Sequence, residues 1–358
     1  MVWNMPNWYI DRETLKRSLR VNGSEHDAAI DRLIEAASRD IERLTKRHYI
    51  PKTQTRLYRY PGRWSQGDVL WLDEDLISVT TLQTKAQDSS PTTISSSDYF
   101  LEPANDAPPY TRIEIDISST ASFESGDTSQ RSISVAGSWG FSNDTDSVGT
   151  VSSGLDSSAT ATSFVCSNGS ISNGITVGDT LLIESEQLFV EQKTSAALGS
   201  ILLNGAVEAS KSANLTVDGG THGISDGEII KVNSEEMLVR SSTSTVLSVE
   251  RAYNGTTLAA HSNDDAVHIF RTLTVSRGIN GTTAAVHADS TAISAYRAPG
   301  PIRQAVAAMA IAGFTQESSG YGRTLGTGDA AANVTGRDLD SLVERVVGEF
   351  SRPREYAI

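Results

Sequence analysis

One cysteine, Cys166, stands among 358 residues. No internal disulfide is available, and the chain reads as one that folds in a reducing cytoplasm. Long apolar runs are missing as well. None approaches the roughly 18 residues that cross a bilayer, and the stretch from Met1 to Ile10 has no basic segment leading into an apolar one, which argues against a secretory signal. Neither a membrane partner nor a membrane location is expected. Aromatic residues make up only 6%. The middle of the chain is rich in Ser, Thr, Gly and Ala, so it is expected to form sheet around a thin core. Clustered Lys and Arg are also lacking, and the net charge is −14. Affinity for phosphates comes from grouped cations that release counterions. Specific DNA binding is therefore disfavoured, whereas an acidic wall past which DNA slides is compatible.

Catalytic signatures are scarce in the same way. No Gly-x-Ser-x-Gly elbow occurs, and Gly320 to Gly326 fits neither glycine pattern of nucleotide-binding loops. His261 and His287 lack the closely spaced companions that zinc requires. The chain is expected to be no enzyme, with no catalytic residue, cofactor or metal.

The patterns that are present divide the chain into three. Asp11 is a fitting N-cap for a helix from Arg12 to Leu19. Ser24 with Asp27 makes a weak capping box. Ile30, Leu33, Ile34, Ala37, Ile41 and Leu44 then recur at helical spacing up to the break before Pro51. From Thr55 to Phe141 short alternating runs predict strands, among them Val69–Leu72, Ile77–Leu82, Tyr99–Leu101, Arg112–Ile117 and Ile133–Trp139. Residues 142–298 read as nearly pure strand and turn. Helix returns at Pro301, with Ile302, Val306, Met309 and Ala310 as its inner stripe, and a last helix carries Leu339, Leu342, Val346 and Phe350. The expected fold is α+β: a mainly helical body with a small sheet, residues 1–142 plus 299–358, interrupted by an all-β inserted domain, residues 143–298.

The insert repeats itself. Leu247-Ser248-Val249-Glu250-Arg251-Ala252-Tyr253-Asn254-Gly255-Thr256-Thr257 returns as Leu273-Thr274-Val275-Ser276-Arg277-Gly278-Ile279-Asn280-Gly281-Thr282-Thr283, each followed at equal distance by a histidine, His261 or His287. The stretch from Gly178 to Val190 likewise parallels Gly227 to Val239. The order is front, front, back, back. Either a unit at about 213–271 is nested inside a related one, or Ser200–Gly205 is a decayed back half. Arg, Asn-Gly-Thr and His in repeated hairpins invite a glycan-site reading. The plainer explanation is turn chemistry, with Asn-Gly supplying positive φ, and the acids Glu184/Glu186 and Glu235/Glu236 fall at equivalent repeat positions.

In this order of elements the chain resembles the head-tail connector (adaptor) family of long-tailed bacteriophages. The resemblance rests on Tyr9 to Val21, on the helix with Ala28-Ala29-Ile30, Leu33-Ile34 and Ile41-Glu42, on Asp98 to Leu101 and Ile133 to Gly140, and on the delayed helix Pro301 to Ala308. It implies a homo-oligomeric ring, usually a dodecamer, in the virion neck. The ring sits beneath the portal protein, receives the next neck or tail component below, and lets DNA pass through its channel unbound. Such rings are assembled in the host cytoplasm. The same resemblance makes the chain after Phe314 the portal-docking arm, with Thr324, Leu325, Arg337, Leu339, Leu342, Val346, Phe350, Arg354 and Tyr356 as docking residues. It makes Ile30, Ile34, Ile41, Arg303 and Val306 the body-helix residues that pack within and between subunits. The insert is expected to project outward. The alternative function is an adhesin-like or carbohydrate-binding β domain on a helical anchor.

Overall fold

The computed structural model describes residues 7–21, 23–105, 108–156, 158–171, 174–218, 222–318, 324–325, 332–333 and 337–352. Helix α1 (Arg12–Leu19) starts at Asp11, whose backbone is extended and whose Oδ1 accepts the Thr14 N–H at 2.8 Å. Helix α2 (Asp27–Thr45) buries Ile30, Ile34, Ala37 and Ile41 along one face. Its start differs from the expected capping box. His26 is the N-cap and makes no side-chain bond there, while the Asp27 carboxylate takes the Lys16 ammonium at 2.8 Å. A charge-assisted bond to α1 outweighs a cap on exposed amides.

Helices α3 (Gly300–Ser318) and α4 (Arg337–Phe350) come from the other end of the chain and enter the same core. Ile302, Ala305, Val306 and Ala310 meet Ile30, Ile34 and Ile41, and Val346 is buried with them. Small residues let α3 lie close to α2: a Cβ on Gly313 would stand 2.8 Å from Leu33 Cδ2. Each fully buried isoleucine stabilises this core by about 1.5–3 kcal/mol.

Beside the helices lies a seven-stranded antiparallel sheet: β1 (Lys52–Tyr58), β2 (Ser65–Gln66), β3 (Val69–Thr84), β4 (Thr92–Ile94), β5 (Tyr99–Glu102), β6 (Tyr110–Ile115) and β7 (Ile133–Trp139). The order is β1-β7-β3-β6-β5, with β2 and β4 also paired to β3. The runs around Val69–Leu72 and Ile77–Leu82, separate in the sequence pattern, are one 16-residue strand. The acidic triplet Asp73–Asp75 is carried through a register shift between Trp71 and Leu76. Asp75 is fully buried there, between Arg47 Nε at 3.3 Å and Arg352 Nε at 3.2 Å.

These pairings correct the expected fold class. Among the described residues strand accounts for 38% and helix for 19%, so the helices flank a large sheet and do not make a mainly helical body. Short runs punctuated by Pro, Gly and Ser gain their weight from distant partners, which local periodicity does not register.

The second sheet has ten strands: β8 (Thr145–Ser153), β9 (Ser163–Cys166), β10 (Thr180–Ile183), β11 (Glu186–Leu202), β12 (Ser212–Thr216), β13 (Ile229–Val232), β14 (Glu235–Ser242), β15 (Val246–Glu250), β16 (Ala266–Ser276) and β17 (Ala292–Tyr296). It closes twice. One ring runs β11-β10-β17-β8-β9-β16 and back to β11. The other runs β16-β13-β14-β15-β12 and returns to the end of β11 through a bridge between Leu203 and Val217. The long strands β11 and β16 serve both rings, one half in each. Closure removes free edges. Each ring is filled, against the expected thin core: Val148, Phe164, Cys166, Leu181, Val190 and Leu273 in the first, Leu215, Ile230, Met237, Val239, Leu247 and Ile269 in the second. Aliphatic side chains suffice because a six-stranded ring has little space to fill.

The first ring is clamped to the rest of the molecule. Gln187 Nε2 donates to Pro51 O at 3.0 Å, Thr53 N–H to Asn280 O at 2.8 Å, and Arg12 N–H to Val177 O at 3.2 Å. Trp8 meets Phe189 edge to face at 5.3 Å. This half of the β block is therefore wedged against α1 and β1 and does not simply project outward.

Candidate functional site

The repeated motif builds two matching polar clusters, one per ring. In the second ring Glu235, the first residue of β14, takes Arg251 bidentately, with Nε and Nη2 each at 2.7 Å. The same carboxylate accepts the Ala252 N–H at 2.9 Å and the Ala259 N–H at 3.1 Å, and it meets His261 Nε2 at 2.9 Å. In the first ring Glu186, the first residue of β11, takes Arg277 Nε and Nη2 at 2.6 Å each. The Gly278 N–H at 3.1 Å, the Ala285 N–H at 3.0 Å and His287 Nε2 at 2.8 Å complete it. Side chains in both clusters are almost wholly buried.

Backbone geometry repeats with the side chains. Glu184 and Asn233, in the turns before the two glutamates, both have positive φ. So do Ala252 and Gly278, Asn254 and Asn280, and Gly255 and Gly281. Asn-Gly therefore supplies positive φ as expected. It does so inside long loops that fold back over the glutamate, however, and not in tight hairpins: β15 ends at Glu250 and β16 begins at Ala266.

The electrostatics follow from this saturation. Burial pushes the Glu235 carboxyl up, but Arg251, the two backbone amides and His261 together outweigh it and hold the group down at about 2. Glu186 is held below its ordinary value by the same set of contacts, again against burial. Each carboxylate is fixed as an anion and its lone pairs are occupied, so neither is placed to trade protons or accept a ligand. The clusters pin the loops at 251–261 and 277–287.

A second pair of acids joins the strands. Glu228 takes Arg271 Nε and Nη2 at 2.7 Å each, and the equivalent Asp179 takes Arg297 Nη1 at 2.7 Å. Arg297 also reaches Asp146 at 3.0 Å. The two asparagines make one equivalent bond, to the residue after each glutamate, and Asn280 makes a second. Asn254 Nδ2 donates to Glu236 Oε2 at 2.8 Å within its own ring. Asn280 Nδ2 donates to Gln187 Oε1 at 2.7 Å and to Asn7 Oδ1 at 2.9 Å, where the ring meets the rest of the molecule. A cleft of about 650 Å³ lies at that junction; among its lining groups are Asp11, Arg17, Asp146, Asp179, Arg297 and Arg303, charges of both signs.

The sequence-derived site residues fall into three places. Ile30, Ile34, Ile41 and Val306 are fully buried in the core of their own chain, and Arg303 is exposed on the first turn of α3. Of the expected docking residues, Val346 is buried, Leu342 and Phe350 pack against the same core, and Leu339 is half-buried. Arg337 is the first residue of α4. Thr324 and Leu325 form β18 (Thr324–Leu325), paired with β19 (Ala332–Asn333). Arg354 and Tyr356 lie outside the described residues, as does most of the glycine-rich loop after Ser318. Asp75 with Arg47 and Arg352 was not singled out from sequence, since an acid inside a strand pattern gives no sign of partners at both chain ends. Among the described residues no cluster of His, Cys, Asp and Glu is placed to hold a metal ion, and no helix is long and apolar enough to cross a membrane.

Comparison with protein-family models, with curated proteins and with solved structures finds no match to this chain.

Proposed function

We propose that this chain is a structural protein of the phage neck, forming a homo-oligomeric ring beneath the portal that joins the DNA-filled head to the tail and continues the DNA channel. The reading joins the resemblance of residues 9–141 and 301–314 to one geometric observation. Both chain ends share a single core, and the β block leaves and re-enters it through neighbouring strands: β8 pairs with β17, Thr145 opposite Tyr296, and the Arg297 N–H donates to Asp144 O at 2.9 Å. An insertion into a surface turn has this form. The same proposal divides the chain into residues 1–142 with 299–358 and an inserted domain at 143–298. It treats the second ring as nested in the first, because β12 to β15 fall between the two halves of the first ring in chain order.

The role is structural and non-enzymatic, with the portal and the next neck or tail component as partners. The acidic balance suits a channel through which DNA passes without adhering. The carbohydrate-binding alternative draws on Arg251, Arg277, His261 and His287, all of which are buried against carboxylates, so the adaptor reading is preferred. Negative-stain imaging of the purified chain mixed with the portal tests it. Rings stacked on portal are expected; monomers that never join portal overturn it.

A further inference from the structure

The path β1-β7-β3-β6-β5 ends at β1 on one side and β5 on the other, each hydrogen-bonded to a single strand. Part of the β1 edge is covered, since the Thr53 N–H donates to Asn280 O. Alternation along the strand then turns the backbone groups of Thr55 and Leu57 outward as well, and there they meet no partner among the described residues. On β5, the Asp116 N–H donates to Asp98 O at 2.9 Å. By the same alternation Phe100 and Glu102 face β6, and the backbone groups of Tyr99 and Leu101 line the free edge.

Side chains at the two edges are complementary. Tyr58 and Leu101 point to the sheet's core face, opposite Ile133 and Ile113. Leu57, 46% exposed, and Phe100, 54% exposed, therefore both stand on the other face. Thr55, Leu57 and Arg59 share that face at one edge; Asp98, Phe100 and Glu102 share it at the other. Beside Leu57 an open groove of about 560 Å³ is lined by Leu57, Arg59, Gln87, Thr128, Gln130 and Arg131, two cations and no acid. Neither arginine has an ion pair among the described residues. Around Phe100 the charge is reversed: Asp98, Glu102 and Glu114, with Arg112 bound to Glu114 and 3.9 Å from Glu102.

We propose that the β5 edge of one copy adds to the β1 edge of the next, Phe100 lying against Leu57 and Glu102 against Arg59 and Arg131. Strands alternate in direction across the path β1-β7-β3-β6-β5, so β1 and β5 run the same way. Copies related by rotation about an axis along the strands pair in parallel, and register with Leu57 opposite Phe100 puts Arg59 opposite Glu102. The contact is head-to-tail, the kind that closes into a ring when the rotation permits. It rests on the ring reading above and supplies that ring's subunit contact; exposed edges also demand a cover of this kind.

The test is charge exchange in the full chain. Arg59→Glu with Arg131→Glu reverses the groove, and Asp98→Lys with Glu102→Lys reverses the β5 edge. Arg59 and Arg131 are exposed and Asp98 and Glu102 half-buried, and unchanged circular dichroism and melting temperature will establish folding. Each variant alone is expected to lower the ring fraction on portal by about tenfold or more, as like charges meet. Mixing the two variants restores it, because each presents one edge complementary to the other's. Rings that persist in both variants, or that the mixture fails to restore, overturn the edge contact and leave the ring reading standing, including the case in which this edge serves another virion component. A wild-type chain that never forms rings on portal overturns the ring reading itself.

Discussion

Replacing Glu235 with Gln keeps the shape of the side chain and removes its charge. Five donors converge on the carboxylate: two from Arg251, the Ala252 and Ala259 amides, and His261 Nε2. A Gln amide accepts at its oxygen only. Whichever way the amide turns, its NH₂ meets donors, Arg251 Nη2 and the Ala259 N–H in one orientation or Arg251 Nε and the Ala252 N–H in the other, and Arg251 is left as a buried cation without a counter-ion. Breaking one partner of a buried pair costs about 3–5 kcal/mol, and the second ring should lose an amount in that range. The loss can be localised, because all five tryptophans lie at or before residue 139. Trp fluorescence therefore follows the flanking body, while amide hydrogen exchange follows the ring. The expected result is fast exchange at Ala252 and Ala259 and through the 251–261 loop, with the Trp transition in denaturant little moved. If those amides stay protected and the loss is below about 1 kcal/mol, the cluster does not hold the loop and the reasoning is wrong.

The same carboxylate sets a pH window. Its folded value, about 2, lies below the ordinary 4.5, so the stability it contributes is complete above 4.5 and drains as pH falls through about 2; protection factors in the 251–261 loop, with the intrinsic pH dependence of amide exchange divided out, should fall across that interval. Ile34→Ala in the shared helical core should cost about 2–5 kcal/mol, seen as an earlier Trp transition, and should loosen α3 and α2 together in hydrogen exchange. Asp75→Ala leaves Arg47 and Arg352 facing each other without their anion and should cost about 3–5 kcal/mol, with exchange in α4 accelerating more than exchange in α1; equal protection of both helices would show that Asp75 does not anchor the C-terminal helix.

Much of the local structure was legible. Asp11 caps α1 because a short carboxylate before a helical run has one geometry available to it. Ile30, Ile34 and Ile41 recur at helical spacing and end in one core, and Asn254-Gly255 and Asn280-Gly281 adopt the positive φ that few other pairs tolerate. The repeat was visible too, and with it the equivalence of Glu186 and Glu235. The partners of those acids were not. Arg277 lies 91 residues from Glu186, and Arg251 lies 16 from Glu235, so identical clusters form across very different separations.

What the chain decides by itself is whatever a few neighbouring residues can enforce: helix faces, caps, positive-φ turns and the family of strands that look alike. Tertiary structure alone decided that Val69 to Thr84 is one strand and that β11 and β16 each serve two rings. It also decided that Val346 and Phe350 lie on their own body, and that Asp75 joins both chain ends. Each of these depends on a partner far off in sequence, and a hydrogen bond or an ion pair leaves no mark on the local pattern of the residues that make it.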